Sequence, residues 1–135
     1  MKVLKEATVS LASGVENDFR GRPGDRQVTV LSRESWDEAC AQLCVNLHWT
    51  TRRANLLIEE VSLVNTTGHY LQTGDVILEI TGETKPCARM DEAMKGLKDA
   101  LVPYWKGGVT CRVIKEGKIY LGKEVTIKKN FHKEI

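Results

Sequence analysis

Apolar and polar positions alternate with a period of two over several short stretches and recur at helical spacing over two longer ones. Val9 and Leu11 alternate with Thr8 and Ser10, and Gln27-Val28-Thr29-Val30-Leu31-Ser32 is rich in branched residues, so both predict strands. Gly14, Gly21, Pro23 and Gly24 between them predict an irregular loop. Residues 54 to 63 predict a strand ended by the turn Asn65-Thr66-Thr67-Gly68, and Asp75-Val76-Ile77-Leu78-Glu79-Ile80-Thr81 predicts another, closed by Gly82. Val109-Thr110-Cys111-Arg112-Val113-Ile114, a turn at Lys115-Glu116-Gly117-Lys118, Ile119-Tyr120-Leu121 and Glu124-Val125-Thr126-Ile127-Lys128 predict a closing hairpin and a last strand. Trp36, Ala39, Cys40, Leu43, Cys44 and Leu47 mark the buried face of a helix that Ser35 caps, with Glu38 as capping-box partner. Met90, Ala93, Met94, Leu97 and Leu101 predict a second helix over 89–101. Six or seven short strands with two inserted helices predict a mostly β, barrel-like domain.

Composition adds bounds rather than a function. At 135 residues, 41% hydrophobic and 28% charged, the chain is long enough for one core, so a single domain over residues 1–135 is expected. Twenty basic and 18 acidic residues leave a formal charge of +2, spread along the chain without the basic footprint of a nucleic-acid binder. No apolar run reaches the roughly 18 residues of a membrane span, and Lys2, Lys5 and Glu6 interrupt any leader pattern. A cytosolic protein with reduced thiols is expected, ending in a solvated tail over 129–135.

Against that background the pentapeptide Lys85-Pro86-Cys87-Ala88-Arg89 stands out, a cysteine between two cations where a predicted strand hands over to a predicted helix. An ordinary thiol, with a pKa of about 8.5, is only about 3 per cent ionised at pH 7. A helix N-terminus favours an anion by about 0.3–1 kcal/mol, and Lys85 and Arg89 would add to it. Pro86 removes a backbone donor and restricts the path of the chain. On local sequence Cys87 is either a nucleophilic thiolate or a small buried hydrophobe beside surface charges.

Cys40 and Cys44, four apart on a predicted helix, could hold a metal, but they share the apolar stripe with Trp36 and Leu43 and read as core. Cys111 shares a strand face with Val109 and Val113 and reads the same way. His48, His69 and His132 are scattered, with His69 in a loop between Gly68 and Tyr70. Arg52-Arg53-Ala54-Asn55 offers forked guanidinium donors and an amide suited to phosphate or carboxylate, or is a solvated arginine pair. Gly21-Arg22-Pro23-Gly24-Asp25-Arg26 is a second polar loop, and Gly107-Gly108 permits close backbone approach.

Gly24-Asp25-Arg26-Gln27-Val28-Thr29, a helix, Arg53-Ala54-Asn55-Leu56, Thr73-Gly74-Asp75, a strand, Lys85-Pro86-Cys87-Ala88-Arg89 and Gly107-Gly108-Val109 follow one another in an order that resembles the MOSC domain, named for the C-terminal domain of molybdenum-cofactor sulfurases. The resemblance runs from about residue 5 to 128. It implies a β-barrel-like fold whose cleft holds the cysteine matched by Cys87. That cysteine would carry sulfur as a persulfide, or ligate molybdenum where a pterin molybdenum cofactor is bound. Arg53 and Asn55 match the family's Arg-x-Asn element and, with Lys85 and Arg89, would hold an anionic cofactor or acceptor. The chain has no aminotransferase-like segment, so a pyridoxal-phosphate desulfurase step is expected from a partner, a cysteine desulfurase or other sulfur donor. A molybdenum-cofactor or metal-sulfur acceptor protein is the second expected partner, with neither nucleic acid nor membrane involved. Three functions stay open: a sulfur carrier or sulfurtransferase-like protein, a molybdenum-dependent reductase of N-hydroxylated compounds, and a non-catalytic anion- or partner-binding module.

Overall fold

The computed structural model describes residues 6–11, 14–15, 28–49, 54–84 and 89–129. In chain order the elements are β1 (Glu6–Ser10), β2 (Gly14–Val15), β3 (Val28–Ser32), α1 (Arg33–Gln42), β4 (Leu56–Ile58), β5 (Tyr70–Thr73), β6 (Val76–Glu83), α2 (Arg89–Ala93), α3 (Leu97–Leu101), β7 (Val109–Lys115), β8 (Gly117–Tyr120) and β9 (Thr126–Lys128). Six strands form a curled half-barrel in the order β4-β3-β7-β6-β5-β9, antiparallel except for the β3/β4 pair. A second sheet has the order β2-β1-β8. The mostly β, barrel-like expectation holds. Among the described residues, no helix is long and apolar enough to cross a membrane.

Period-two alternation builds two cores on opposite faces of β3. Val28 and Val30 turn inward with Val9, Leu71, Val76, Leu78, Ile80, Val109, Cys111 and Val113 to fill the half-barrel. Leu31 turns outward and joins Trp36, Ala39, Cys40, Ala54, Met90, Leu97, Ala100 and Leu101 beneath the helices. Each fully buried Val, Leu or Ile contributes about 1.5–3 kcal/mol. The buried Trp36 indole loses nothing to desolvation, because its Nε1 donates to the Leu47 carbonyl at 2.9 Å.

Several local expectations are corrected. The cap of α1 is Ser32, not Ser35: its Oγ accepts from the Ser35 amide at 3.3 Å, and its extended backbone belongs to β3. Cys44 does not share the buried face with Cys40. The helix ends in a Schellman motif, in which Cys44 N bonds Ala41 O and Val45 N bonds Cys40 O, with Cys44 at φ 56° and exposed. The strand expected over 54–63 is only Leu56–Ile58, because Glu60 takes φ 63° and gives its amide to Glu34 Oε1 of α1 rather than to a neighbouring strand.

The helix expected over 89–101 is two short pieces, broken at Gly96 with φ 90°. Asp91 Oδ1 caps the second piece by accepting from Lys98 N at 3.0 Å. Met90, Leu97 and Leu101 are buried as expected, whereas Ala93 is exposed. The hairpin expected after β7 does not form. Only Glu116 separates β7 from β8, too few residues for a reversal, so the run bends and β8 leaves to pair with β1. Gly14–Val15, expected in irregular loop, pairs with β1 instead.

One backbone contact locks this arrangement. Gly108, at φ 96°, lies so close to β3 that a Cβ would sit 2.2 Å from the Val30 carbonyl oxygen. Its own carbonyl accepts from Thr84 N at 2.8 Å, extending the β6/β7 ladder past Glu83. Gly108→Ala meets both a left-handed backbone and a backbone clash. It should cost about 3 kcal/mol in denaturant titration, and a loss under about 1 kcal/mol would show that Gly108 is not held against β3.

Candidate functional site

Arg53, Lys85 and Cys87 lie outside the described residues, as do the loop Gly21–Arg26 and the tail 130–135. The structure shows the frame around them. On one side β6 ends at Glu83 and the amide of the next residue, Thr84, is held by the Gly108 carbonyl; on the other Arg89 opens α2 with its side chain exposed. Met90, next to Arg89, and Ala54, between Arg53 and Asn55, are buried in the same helical core. The Arg53-Ala54-Asn55 segment and the C-terminal end of the cysteine segment are thus anchored in one packed unit.

The electrostatic expectation for Cys87 is weakened on one count. The helix that follows it has five residues rather than thirteen aligned peptides, and Asp91 and Glu92 stand in its first turn. A macrodipole needs aligned peptides, and two carboxylates offset a positive end.

Asn55 has a structural job that the sequence did not reveal. Its Oδ1 accepts from Thr29 N at 2.9 Å and from Thr29 Oγ1 at 3.1 Å, while its amide N–H is bonded to Thr29 O at 3.0 Å and Thr29 Oγ1 at 3.2 Å. These bonds clamp the start of β4 to β3, so the acceptor end of the Asn55 side chain serves the sheet. Thr29 is the register partner of Thr110, whose Oγ1 lies 2.9 Å from Thr81 Oγ1. A polar seam therefore crosses β4, β3, β7 and β6 on the face opposite the half-barrel core.

Thr84 extends that seam without sharing its bonding. A Cβ on Gly82 would point toward Thr110 Oγ1 at 3.9 Å, so the alternate residue Thr84, still on the ladder through Gly108, faces the same side. Thr84 is 7% exposed, and its Oγ1 is the buried side-chain oxygen without a hydrogen-bond partner among the described residues. An unpaired buried hydroxyl costs about 1–3 kcal/mol. Sequence reasoning passed over Thr84, because a threonine ending a strand carries no local signal.

The other thiols differ sharply from one another. Cys111 is fully buried among Val28, Val109 and Val113, and burial pushes its pKa up to about 12. Cys40 is buried in the helical core, and Cys44 is exposed. With α1 ending before Cys44, the two do not share the helix face that a joint metal site would use. Among the described residues, no three His, Cys, Asp or Glu side chains gather where they could hold a metal ion. His69 extends the pairing of β5 with β6, its carbonyl accepting from Ile80 N at 2.8 Å.

A family model described as the MOSC domain matches residues 12–126. Among solved structures, the YUAD protein of Bacillus subtilis superposes with a TM-score of 0.76 at 18% identity, covering 93% of this chain and 86% of that one. YiiM of Geobacillus stearothermophilus gives 0.73 at 16% identity, over 93% of this chain and 61% of that one. YiiM of Escherichia coli gives 0.71 at 17% identity, over 98% and 67%. The chain thus spans less than two thirds of the Geobacillus protein. At these identities the likeness is one of fold. No curated protein matches the chain.

Burial of Cys111 makes a pH-dependent prediction. Its thiol stays protonated in the folded protein up to about pH 12 but ionises near 9.0 once unfolded. Its contribution is therefore whole below pH 9 and lost between 9 and 12, at up to about 1.4 kcal/mol per pH unit. In denaturant titrations, the stability advantage of wild type over Cys111→Ala should shrink across that range. A constant difference would contradict the burial.

Proposed function

The chain belongs to the MOSC domain family, and on that premise we propose that it is a cytosolic sulfur carrier whose working group is the Cys87 thiolate. Supporting this reading is the frame itself. The cysteine segment leaves a strand end fixed by Thr84 and Gly108 and returns at a helix start anchored by Met90, with cations at Lys85 and Arg89. Neither buried thiol competes, since Cys111 stays protonated and Cys40 is packed in the helical core.

The chemistry is an exchange at sulfur. The Cys87 thiolate attacks the outer sulfur of a donor's cysteine persulfide; the donor's S–S bond breaks, its cysteine leaves as a thiolate, and Cys87 holds the sulfur as Cys–S–SH. No net electrons move, so no further oxidant is needed. The donor is a cysteine desulfurase that carries its own pyridoxal phosphate, and the acceptor is a protein assembling a molybdenum cofactor or a metal-sulfur centre. Lys85 and Arg89 stabilise the anion, and Arg53 attracts an anionic acceptor. Asn55 contributes by holding the Arg53 segment on β3.

The family's association with the molybdenum cofactor supports a second reading. The Thr84 hydroxyl, without a hydrogen-bond partner among the described residues, and the exposed Arg89 fit a polar, anionic group held beside Cys87. In that case Cys87 would be the soft metal ligand, and the cofactor would supply redox chemistry for reduction of N-hydroxylated compounds.

Incubation with a cysteine desulfurase and cysteine, followed by peptide mass spectrometry, should add one sulfur to the Cys87 peptide and none after Cys87→Ser. The exposed Cys44 is the internal control. Equal labelling of Cys44, or no label on Cys87, would overturn the carrier reading. Molybdenum retained on Cys87 by protein from a cofactor-producing host would favour the second.

A further inference from the structure

From the end of β7 to β9 the chain forms an exposed, basic surface with an apolar tip. Residues 115–129 hold five lysines, Lys115, Lys118, Lys123, Lys128 and Lys129, all exposed, against two glutamates, Glu116 and Glu124. This run carries a net +3 in a chain whose whole formal charge is +2, so the remaining residues sum to −1. Between β8 and β9 the Lys123 amide donates to the Tyr120 carbonyl at 3.3 Å, closing a turn with Gly122 at φ 85°. A left-handed glycine in the third position makes it a type II turn. Leu121 stands at its tip, 73% exposed, beside Tyr120 at 47%, and a Cβ on Gly122 would meet nothing within 4 Å, so the tip is clear of the body of the domain. Lys118 shares the outward face of β8 with Tyr120. A Cβ on Gly74, in the β5–β6 turn, would lie 3.8 Å from the Lys118 carbonyl oxygen, which places this surface at the start of β6. Thr84 follows the other end of that eight-residue strand, about 25 Å along it.

We propose that this surface docks on an anionic lipid bilayer, with Leu121 and Tyr120 entering the interface and the lysines lying among the headgroup phosphates. A leucine on a protruding turn can enter the interface without any matching pocket, and a tyrosine suits headgroup depth because its ring is apolar and its hydroxyl polar. Lysine stems lie along the apolar region while their ammonium groups stay with the phosphates. One exposed leucine alone would bind weakly, and the lysines around it add the electrostatic attraction that makes the contact specific for negative lipid. A protein partner fits less well, because protein interfaces are depleted in lysine and seat their apolar anchors in complementary pockets. Docking on a surface departs from the expectation that no membrane is involved. It needs no spanning run, so the short helices among the described residues do not conflict with it. The inference is independent of the chemistry at Cys87.

Co-sedimentation of the full chain with vesicles tests this. The protein should pellet with vesicles of equal parts phosphatidylglycerol and phosphatidylcholine and stay in solution with phosphatidylcholine alone. Salt at about 1 M, where the screening length falls to about 3 Å, should release it. Lys123→Gln should weaken the apparent affinity about fivefold. Leu121→Ser should weaken it about tenfold, with neither variant melting lower than wild type, because both side chains are exposed. Lys95→Gln removes the same charge from an exposed position between α2 and α3, and should change the affinity by less than about twofold. No pelleting with the anionic vesicles would overturn the inference, and retention on poly-glutamate in that case would give the surface to an acidic protein instead. Equal binding to phosphatidylcholine alone, unchanged binding by Leu121→Ser, or equal losses from Lys95→Gln and Lys123→Gln would each contradict it as well.

Discussion

The contact of Gly108 with the Val30 peptide is the constraint on which the rest of the site depends. A left-handed glycine at the start of β7 lets that strand approach β3 where any side chain would collide with a carbonyl oxygen. Having approached, Gly108 offers its own carbonyl to Thr84 and fixes where β6 ends. The cysteine segment starts at the next residue. A backbone contact between two strands thus determines where a third one ends.

The two faces of β3 explain why such a small domain can frame a site. Its inner face is saturated with aliphatic side chains, and its outer face is divided between a helical core at Leu31 and a polar seam at Thr29. The helical core anchors Ala54 and Met90, the residues beside Arg53 and Arg89. The seam holds β4 in register through Asn55, and among the described residues it leaves one buried hydroxyl, on Thr84, without a partner.

Strands β3, β6 and β7 of the half-barrel were legible because period-two burial is a local property, whereas β5 was not foreseen: Val28 and Val30, Val76 and Leu78, and Val109 and Cys111 all point as their alternation predicts. What escaped was set by partners distant in sequence. Nothing near Cys44 announces that α1 will end in a left-handed residue without glycine, and nothing near Gly117 says that β8 will choose β1 over β7. The expected single helix breaks at Gly96, and the Asp91 carboxylate, distant from it in the pattern, caps the second piece. Of the site, Cys87 and its flanking cations were legible as chemistry. The Asn55–Thr29 clamp, spanning 26 residues, was not.

The proposed sulfur-carrier role of Cys87 rests on its flanking cations and on the described frame on either side of its segment. The most direct test is the mass and metal content of the protein isolated from its native cell under conditions that preserve persulfides. A sulfur carrier should contain a fraction bearing one added sulfur atom, mapped to Cys87, and no stoichiometric molybdenum. Protein recovered with molybdenum bound and no added sulfur, or with the extra sulfur on Cys44, would contradict the account.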